Sequence, residues 1–536
     1  MNRISRHAVA ALTALGLGSM PLAVAHEGGP LAGLGSVDFK VDCNAAAQKD
    51  ISLAMAYYHS FAWQDMARPL NRVLQADPSC GMAYWVRALS LLDNPFIWPV
   101  LVNANVLKEG PEALEMARKA GLKTQRERDY VEALAVFFKD HDKLNHRTRA
   151  KAFEEALGQV AQRYPDDKEA SILHALVMSA NFDPADRQYT SQLRAARILE
   201  PISIAHPNHP GVAHYLIHSY DYPPIAQHGL EAAKRYSKIA PEATHALHMP
   251  SHIFSRVGYW RESIDANRAS AKAAPGHTFD AMHAYDYMVY AHLQLGQDRA
   301  ARQVLEESKK GKVIDHFAAA YAYASIPARY AIERGDWKSA AQLPLDPAAD
   351  AYAWKKYPQS EAINAFGRGI GAAKSGDSQG AHKEAQRLQA LRDSLASMKL
   401  AYWVEQVDIQ AEQVRGLALC AEGKHVEGID VLRKAADRED ATQKHAVTPG
   451  LLMPAREVLA QTILEFGKSA DALVEFEKVI DKEPNRYRTW AGAAQAAQKS
   501  GDMKKAAYYS ARLVDQTMNA DSPRPEIASA KRMIGM

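Results

Sequence analysis

Apolar residues recur along most of this chain at positions i, i+3, i+4 and i+7, the spacing that places them on one face of an α-helix. The run Ala472-Leu473-x2-Phe476-x2-Val479-Ile480 is representative. Strand-like alternation is nearly absent. Between the amphipathic stretches a turn signature returns, at Gly258-Tyr259-Trp260, Gly296-Gln297-Asp298, Gly335-Asp336-Trp337, Gly376-Asp377-Ser378, Gly423-Lys424-His425, Gly467-Lys468-Ser469 and Gly501-Asp502-Met503. In each, glycine closes one helix and a polar or aromatic residue opens the next. Successive glycines stand 38, 39, 41, 47, 44 and 34 residues apart, which predicts repeated helix pairs with variable loops. Pro78, Pro165, Pro207, Pro241, Pro275 and Pro484 end many second helices, because the residue before a proline is driven out of helical geometry. No Gly-, Pro- or Ser-rich linker divides the array, so a single superhelix with capped ends is expected.

An aromatic late in the first helix, glycine at the bend, alanine in the second helix and proline at its end together resemble the tetratricopeptide repeat superfamily. Residues 467–501 match this pattern most closely, with bend glycines one full repeat apart. The 93–110 insertion, containing Asn94-Pro95-Phe96-x-Trp98-Pro99, departs from it. Three strings resemble a narrower set of exported bacterial repeat proteins: Asp77-Pro-Ser-Cys-Gly-Met-Ala-Tyr-Trp85, His209-Pro-Gly-Val-Ala-His-Tyr-Leu-Ile-His-Ser-Tyr-Asp221 and His245-Ala-Leu-His-Met-Pro-Ser-His252. No activity transfers with them. The resemblance implies an all-α, tetratricopeptide-like solenoid of helical hairpins over 44–520, with a C-terminal capping helix in 521–536. It also implies that first helices line a concave groove suited to a peptide or protein partner.

The ends and charge refine this picture. Arg3 and Arg6, an apolar stretch from Ala8 to Ala25 and the small-x-small site Ala23-Val24-Ala25 read as a secretory signal over 1–25. A flexible segment is expected over 26–43. No later stretch is apolar enough to span a bilayer, so the mature protein is expected to be free of the membrane, in a periplasm or secreted. Net charge is +3 over 536 residues, which argues against nucleic acid as a partner, since that demands a concentrated basic face. Cys43, Cys80 and Cys420 are too scattered for a metal–thiolate site. In an oxidising compartment Cys43 and Cys80 have the option of bridging the first two repeat units.

Histidine is the residue type that changes the functional reading. Twelve of the 21 histidines fall between His174 and His292. His214-x3-His218 and His248-x3-His252 stand 34 residues apart, which is also the local repeat length marked by Pro207, Pro241 and Pro275. Residues four apart share a helix face, and equivalent helices of adjacent repeats stack side by side. Four imidazoles are therefore expected to converge on one zinc or copper ion, with His245 as a fifth candidate. Asp221 and Tyr220 are candidates to orient the rings. Superposing the bend glycines aligns His245 with His283, and places Asp286 and Tyr290 where the preceding repeat has His248 and His252. The competing expectation is that these rings only pack between helices, and Met249-Pro250 is expected to bend the helix beneath His252.

A second polar concentration spans 439–457. Its Pro449-Gly450 loop is expected to curve across the groove toward the histidines, bringing Glu457 beside the metal as a carboxylate ligand or general base. No HExxH, phosphate-binding loop, GxSxG elbow or dinucleotide fingerprint is present. Three functions follow as expectations: a histidine-rich metal site for binding or metal-assisted chemistry, a metal-free scaffold for a protein partner, or a metal-dependent hydrolase using Glu457.

Overall fold

The computed structural model describes residues 33–98, 102–274 and 278–536. Among them there is no strand, and helices follow one another as antiparallel hairpins. The protein is an all-α, tetratricopeptide-like solenoid. The signal expected at 1–25, with its cleavage site, lies outside the described residues.

The hairpins that matter for function are four. Lys168–Ala180 pairs with Thr190–Ala205, and Pro210–Tyr220 with Leu230–Ile239. The broken helix Thr244–His248 and Pro250–Val257 pairs with Trp260–Ala273, and Phe279–Gln294 with Asp298–Ser308. All seven bend glycines read from the sequence have positive φ, from 67° at Gly335 to 87° at Gly501. Only glycine adopts that left-handed geometry without a Cβ penalty, so each reliably closes a first helix.

First helices are buried nearly all round, as Phe279–Gln294 is from Ala281 to Ala291 apart from His283, while second helices keep a solvated face. This difference defines an inner and an outer wall. The apolar core is continuous through the N-terminal repeats, where Trp85, Tyr130, Phe137 and Phe153 are fully buried. A second large cluster fills the C-terminal repeats.

Residues 33–43 correct one expectation. Read as flexible, they are instead an extended strap: Ser36 N–H donates to the Asn208 carbonyl at 2.9 Å, Glu242 N–H donates to Gly33 at 3.1 Å, and Leu34, Val37 and Phe39 are buried. Phe39 packs against Trp85 and Tyr130. Cys43 and Cys80 are joined as a disulfide, and Cys420 is a buried free thiol. At the other end, Pro525–Met533 forms a short closing helix.

The superhelix winds far enough for distant repeats to meet. Trp260 Nε1–H donates to the Asn485 carbonyl at 3.0 Å, Tyr487 N–H to Gln294 at 2.9 Å, and Gln516 to the Gln294 carbonyl at 2.7 Å. Between these walls lies the 441–454 loop, which crosses the groove as its sequence suggested. Tyr287 donates to Ala446 or Thr448 carbonyls, and Arg329 donates to Thr448 and Gly450. Among the described residues no helix is long and apolar enough to cross a membrane.

Candidate metal centre

The inner wall carries six histidines in two sets of three. His214, His218 and His245 place one ring nitrogen each within 4.8 Å of one another, and so do His248, His252 and His283. Each set takes a pair four residues apart from one first helix and a single ring from the first helix of the next repeat. The same arrangement is thus generated twice, one repeat apart.

This corrects the expected four-imidazole site. His214, His218, His248 and His252 fall into two separate compact sets, because a single ring earlier on the following helix lies within reach of each pair. Each pair instead recruits a ring that sits earlier on the following helix, His245 for one and His283 for the other. All five expected ligands line the wall. His283 is the one that sequence reasoning left out, although its alignment with His245 carried the signal. The bend at Met249-Pro250 does not displace His252: Met249 keeps helical angles, and His252 Nε2 lies 3.0 Å from His248 Nε2.

In the first set, His214 Nδ1–H donates to the His59 carbonyl at 2.7 Å, leaving its Nε2 lone pair turned toward His218 Nε2 at 3.1 Å and His245 Nε2 at 3.2 Å. Phe61 packs on all three rings and Phe96 lies 4.2 Å from that of His218. In the second set, His248 Nδ1 lies 2.6 Å from Asn267 Oδ1. The Asn267 amide donates from Nδ2 to the Ser263 carbonyl, so its oxygen faces the ring and must accept. His252 Nδ1–H donates to Asp221 at 3.0 Å. Asp221 therefore orients a ring as expected, whereas Tyr220 turns away to Glu200.

All six imidazoles are held neutral. Burial pushes His214, His218, His245 and His283 well below the usual range, with neighbouring imidazoles adding to the effect. Burial and then His252 take His248 down to about 3. His252 is lowered by burial against the opposing pull of Asp221. Burial alone would raise the Asp221 carboxyl, but Lys444, Arg256 and His252 together hold it well below the ordinary carboxylate range. Neutral rings are the form that binds transition metals, and Nδ1–H donation by His214, His248 and His252 leaves their Nε2 lone pairs free for it. In a tetrahedral site with metal–nitrogen bonds of about 2.0 Å, nitrogens stand about 3.3 Å apart; His214 to His218, His214 to His245 and His248 to His252 stand at 3.0–3.2 Å, and the remaining pairs of each set lie within 4.8 Å.

A third group, His59, Glu169 and His209, is also compact, but its donors are spent. Both Nε2–H groups donate to Glu169, at 2.9 and 2.8 Å. The Tyr215 hydroxyl donates to His59 Nδ1, and Val212 N–H donates to His209 Nδ1. This is a satisfied hydrogen-bond network, and it fixes the His59 carbonyl that orients His214. His174 lies elsewhere, packed on Gly158.

Glu457 does not join the histidines. Its two oxygens accept from Arg486 at 3.0 and 3.1 Å and from the Thr489 hydroxyl at 2.5 Å, while Arg486 also pairs with Glu333 and Tyr290. The loop that precedes it brings a different group to the site. Lys444 Nζ, almost fully buried, lies 3.6 Å from Asp221.

The structure is thus a tetratricopeptide-like helical solenoid whose inner wall carries two tri-imidazole sets. No protein-family model matches the chain, and no curated protein matches it in sequence. A solved structure of Naa15/Naa10 bound to HypK-THB is 11% identical, covering 91% of this chain and 73% of that one, with a TM-score of 0.25. The human IFIT1 dimer with PPP-AAAA is 12% identical over 88% of this chain and 91% of that one, with a TM-score of 0.37. Neither superposition is close enough to carry an argument, and the fold is read from the hairpins themselves.

Proposed function

We propose that this chain is an exported solenoid that binds two transition-metal ions, one in each tri-histidine set, and that the ions are copper. A single observation carries the reading. His248 and His252 both commit Nδ1–H to groups that accept, and they turn two unprotonated Nε2 atoms toward each other at 3.0 Å. Two lone pairs so placed repel, the one hydroxyl in reach of His252 Nε2, that of Tyr287 at 3.4 Å, also has the nearer Ala446 and Thr448 carbonyls to serve, and burial disfavours a proton between the rings. A metal ion relieves the repulsion.

Copper is favoured over zinc by the chemistry of the donors. Imidazole suits both, but divalent copper stands above zinc in affinity for nitrogen sites. Six neutral ligands with no carboxylate also suit an ion able to exist as a monocation. Three nitrogens per ion leave open positions, which supports metal-assisted chemistry in addition to storage or delivery. The Cys43–Cys80 disulfide supports an oxidising location. The peptide-scaffold alternative is disfavoured where the 441–454 loop already crosses the groove. The hydrolase alternative loses its base with Glu457 engaged by Arg486.

The test is metal analysis of protein matured by its host and of metal-free protein titrated with copper. Two equivalents per chain are expected, with His218→Ala and His283→Ala each losing one and keeping the helical spectrum. Retention of no copper or zinc by the folded wild type would overturn the reading.

A further inference from the structure

Beside the second histidine set stands a cation without a hydrogen bond among the described residues. Lys444 Nζ has no hydrogen-bond partner among the described residues and lies 3.6 Å from the nearest carboxylate oxygen, on Asp221. That carboxylate is already engaged: Oδ2 receives His252 Nδ1–H at 3.0 Å and Oδ1 receives Arg256 Nε–H at 2.8 Å. A buried ammonium normally has all three donors satisfied, so an unbonded one is costly and calls for a ligand.

Charge leads to the same place. Lys444 and Arg256 are positive, and Asp221 and Glu483 are the carboxylates that act on them. These four groups balance before any metal enters. The histidines are neutral, and neither set includes a carboxylate. Each ion bound there thus brings positive charge that no side chain of the ligand sets offsets. The two sets are also close, with ring centroids 6.2 Å apart from His245 to His248 and 6.3 Å from His218 to His252. Two cations held in sets this close to each other repel at low dielectric unless an anion lies near both.

We infer that the loaded centre takes an anionic oxygen ligand from outside the chain, such as a substrate carboxylate, and that Lys444 Nζ is the group that anchors it beside the metal of the His248, His252 and His283 set. His283 is only partly buried while His248 and His252 are buried, so its side is the route of approach. Lys444 is delivered by the 441–454 loop and not by a helix of the inner wall, so the repeat supplies the metal ligands and the loop supplies the anchor. The inference rests on the metal reading above.

The experiment uses full-length mature protein carrying His218→Ala, so that only the second set holds copper, with and without Lys444→Met or Lys444→Arg. Copper is counted first. Azide is then titrated by its charge-transfer absorption, with acetate as a competing carboxylate. Loss of about tenfold or more in azide and acetate affinity is expected for Lys444→Met, with copper content unchanged and Lys444→Arg close to the parent. Equal anion affinities in parent and Lys444→Met overturn the inference while leaving the metal reading standing. Loss of copper from Lys444→Met overturns it as well, because the lysine would then be acting by holding Asp221 and His252. A parent that binds no copper overturns the metal reading, and the inference with it.

Discussion

Single side chains in this protein are tuned mainly by burial. Glu439 is the clearest case outside the histidines. Burial raises its carboxyl to about 7, against the opposing effects of Lys482 and of the Ala455 N–H that donates to it. The folded chain therefore holds this proton more tightly than the unfolded chain, where the value is near 4.5. Its contribution is fully present below about pH 4.5 and is lost as pH rises through about 7. Metal-free protein is expected to lose on the order of 3 kcal/mol across that window from this residue, and Glu439→Gln should flatten the decline. Parallel urea melts at pH 5 and pH 8 check it; identical slopes for wild type and variant would exclude the effect.

At the same scale, the ligands were legible and their partners only in part. His214, His218, His245, His248 and His252 stand out because helix period and repeat period coincide. His283 does not, since Asp286 and Tyr290 follow it where a third HxxxH pair would have drawn notice. Asp221 could be named from its place one turn beyond His218. Asn267 could not, because its contact with His248 crosses a hairpin and depends on how two helices pack.

Hairpins are the working unit one level up. The first helix presents the ring and the second helix orients it, as Trp260–Ala273 does by placing Asn267 behind His248. Asn267→Ala frees His248 to adopt either tautomer. Copper affinity of the second set should fall about 10- to 100-fold, with the first set unchanged, as read by competition with a chelator of known affinity. Element boundaries were legible at the bend glycines and helix-ending prolines, which act through local backbone geometry, whereas Pro111, Pro201 and Pro327 lie inside helices. The strap at 33–43 was not recognised, although Val37, Phe39 and Val41 alternate with exposed residues. Its pairing partners at Asn208 and Glu242 lie far along the chain, and such contacts leave little local trace.

The whole molecule is held together across its groove by buried ion pairs. Arg486, 1% exposed, ties Glu457 and Glu333 to Tyr290. Replacing it with methionine leaves two buried carboxylates without their main partner, and a loss of about 3–5 kcal/mol is expected. Glu457→Gln should cost less, and copper stoichiometry should stay at two in both variants. Loss of copper from Glu457→Gln would return that residue to the centre. The hairpin order was legible where bend glycines recur, from Gly258 to Gly501. The winding that brings Trp260 against Asn485 was not, since it accumulates from small rotations at every interface.

Repetition gives the two ligand sets the same skeleton, but their surroundings differ. Rings of Phe61, Phe96, Tyr215 and Tyr236 crowd one, while an amide, a carboxylate and an ammonium attend the other. A pair of chemically identical ions placed here would become unequal partners. The apolar pocket would stabilise the lower charge state and the polar pocket would draw in the guest. In this way a duplicated scaffold acquires direction, from one half toward the other.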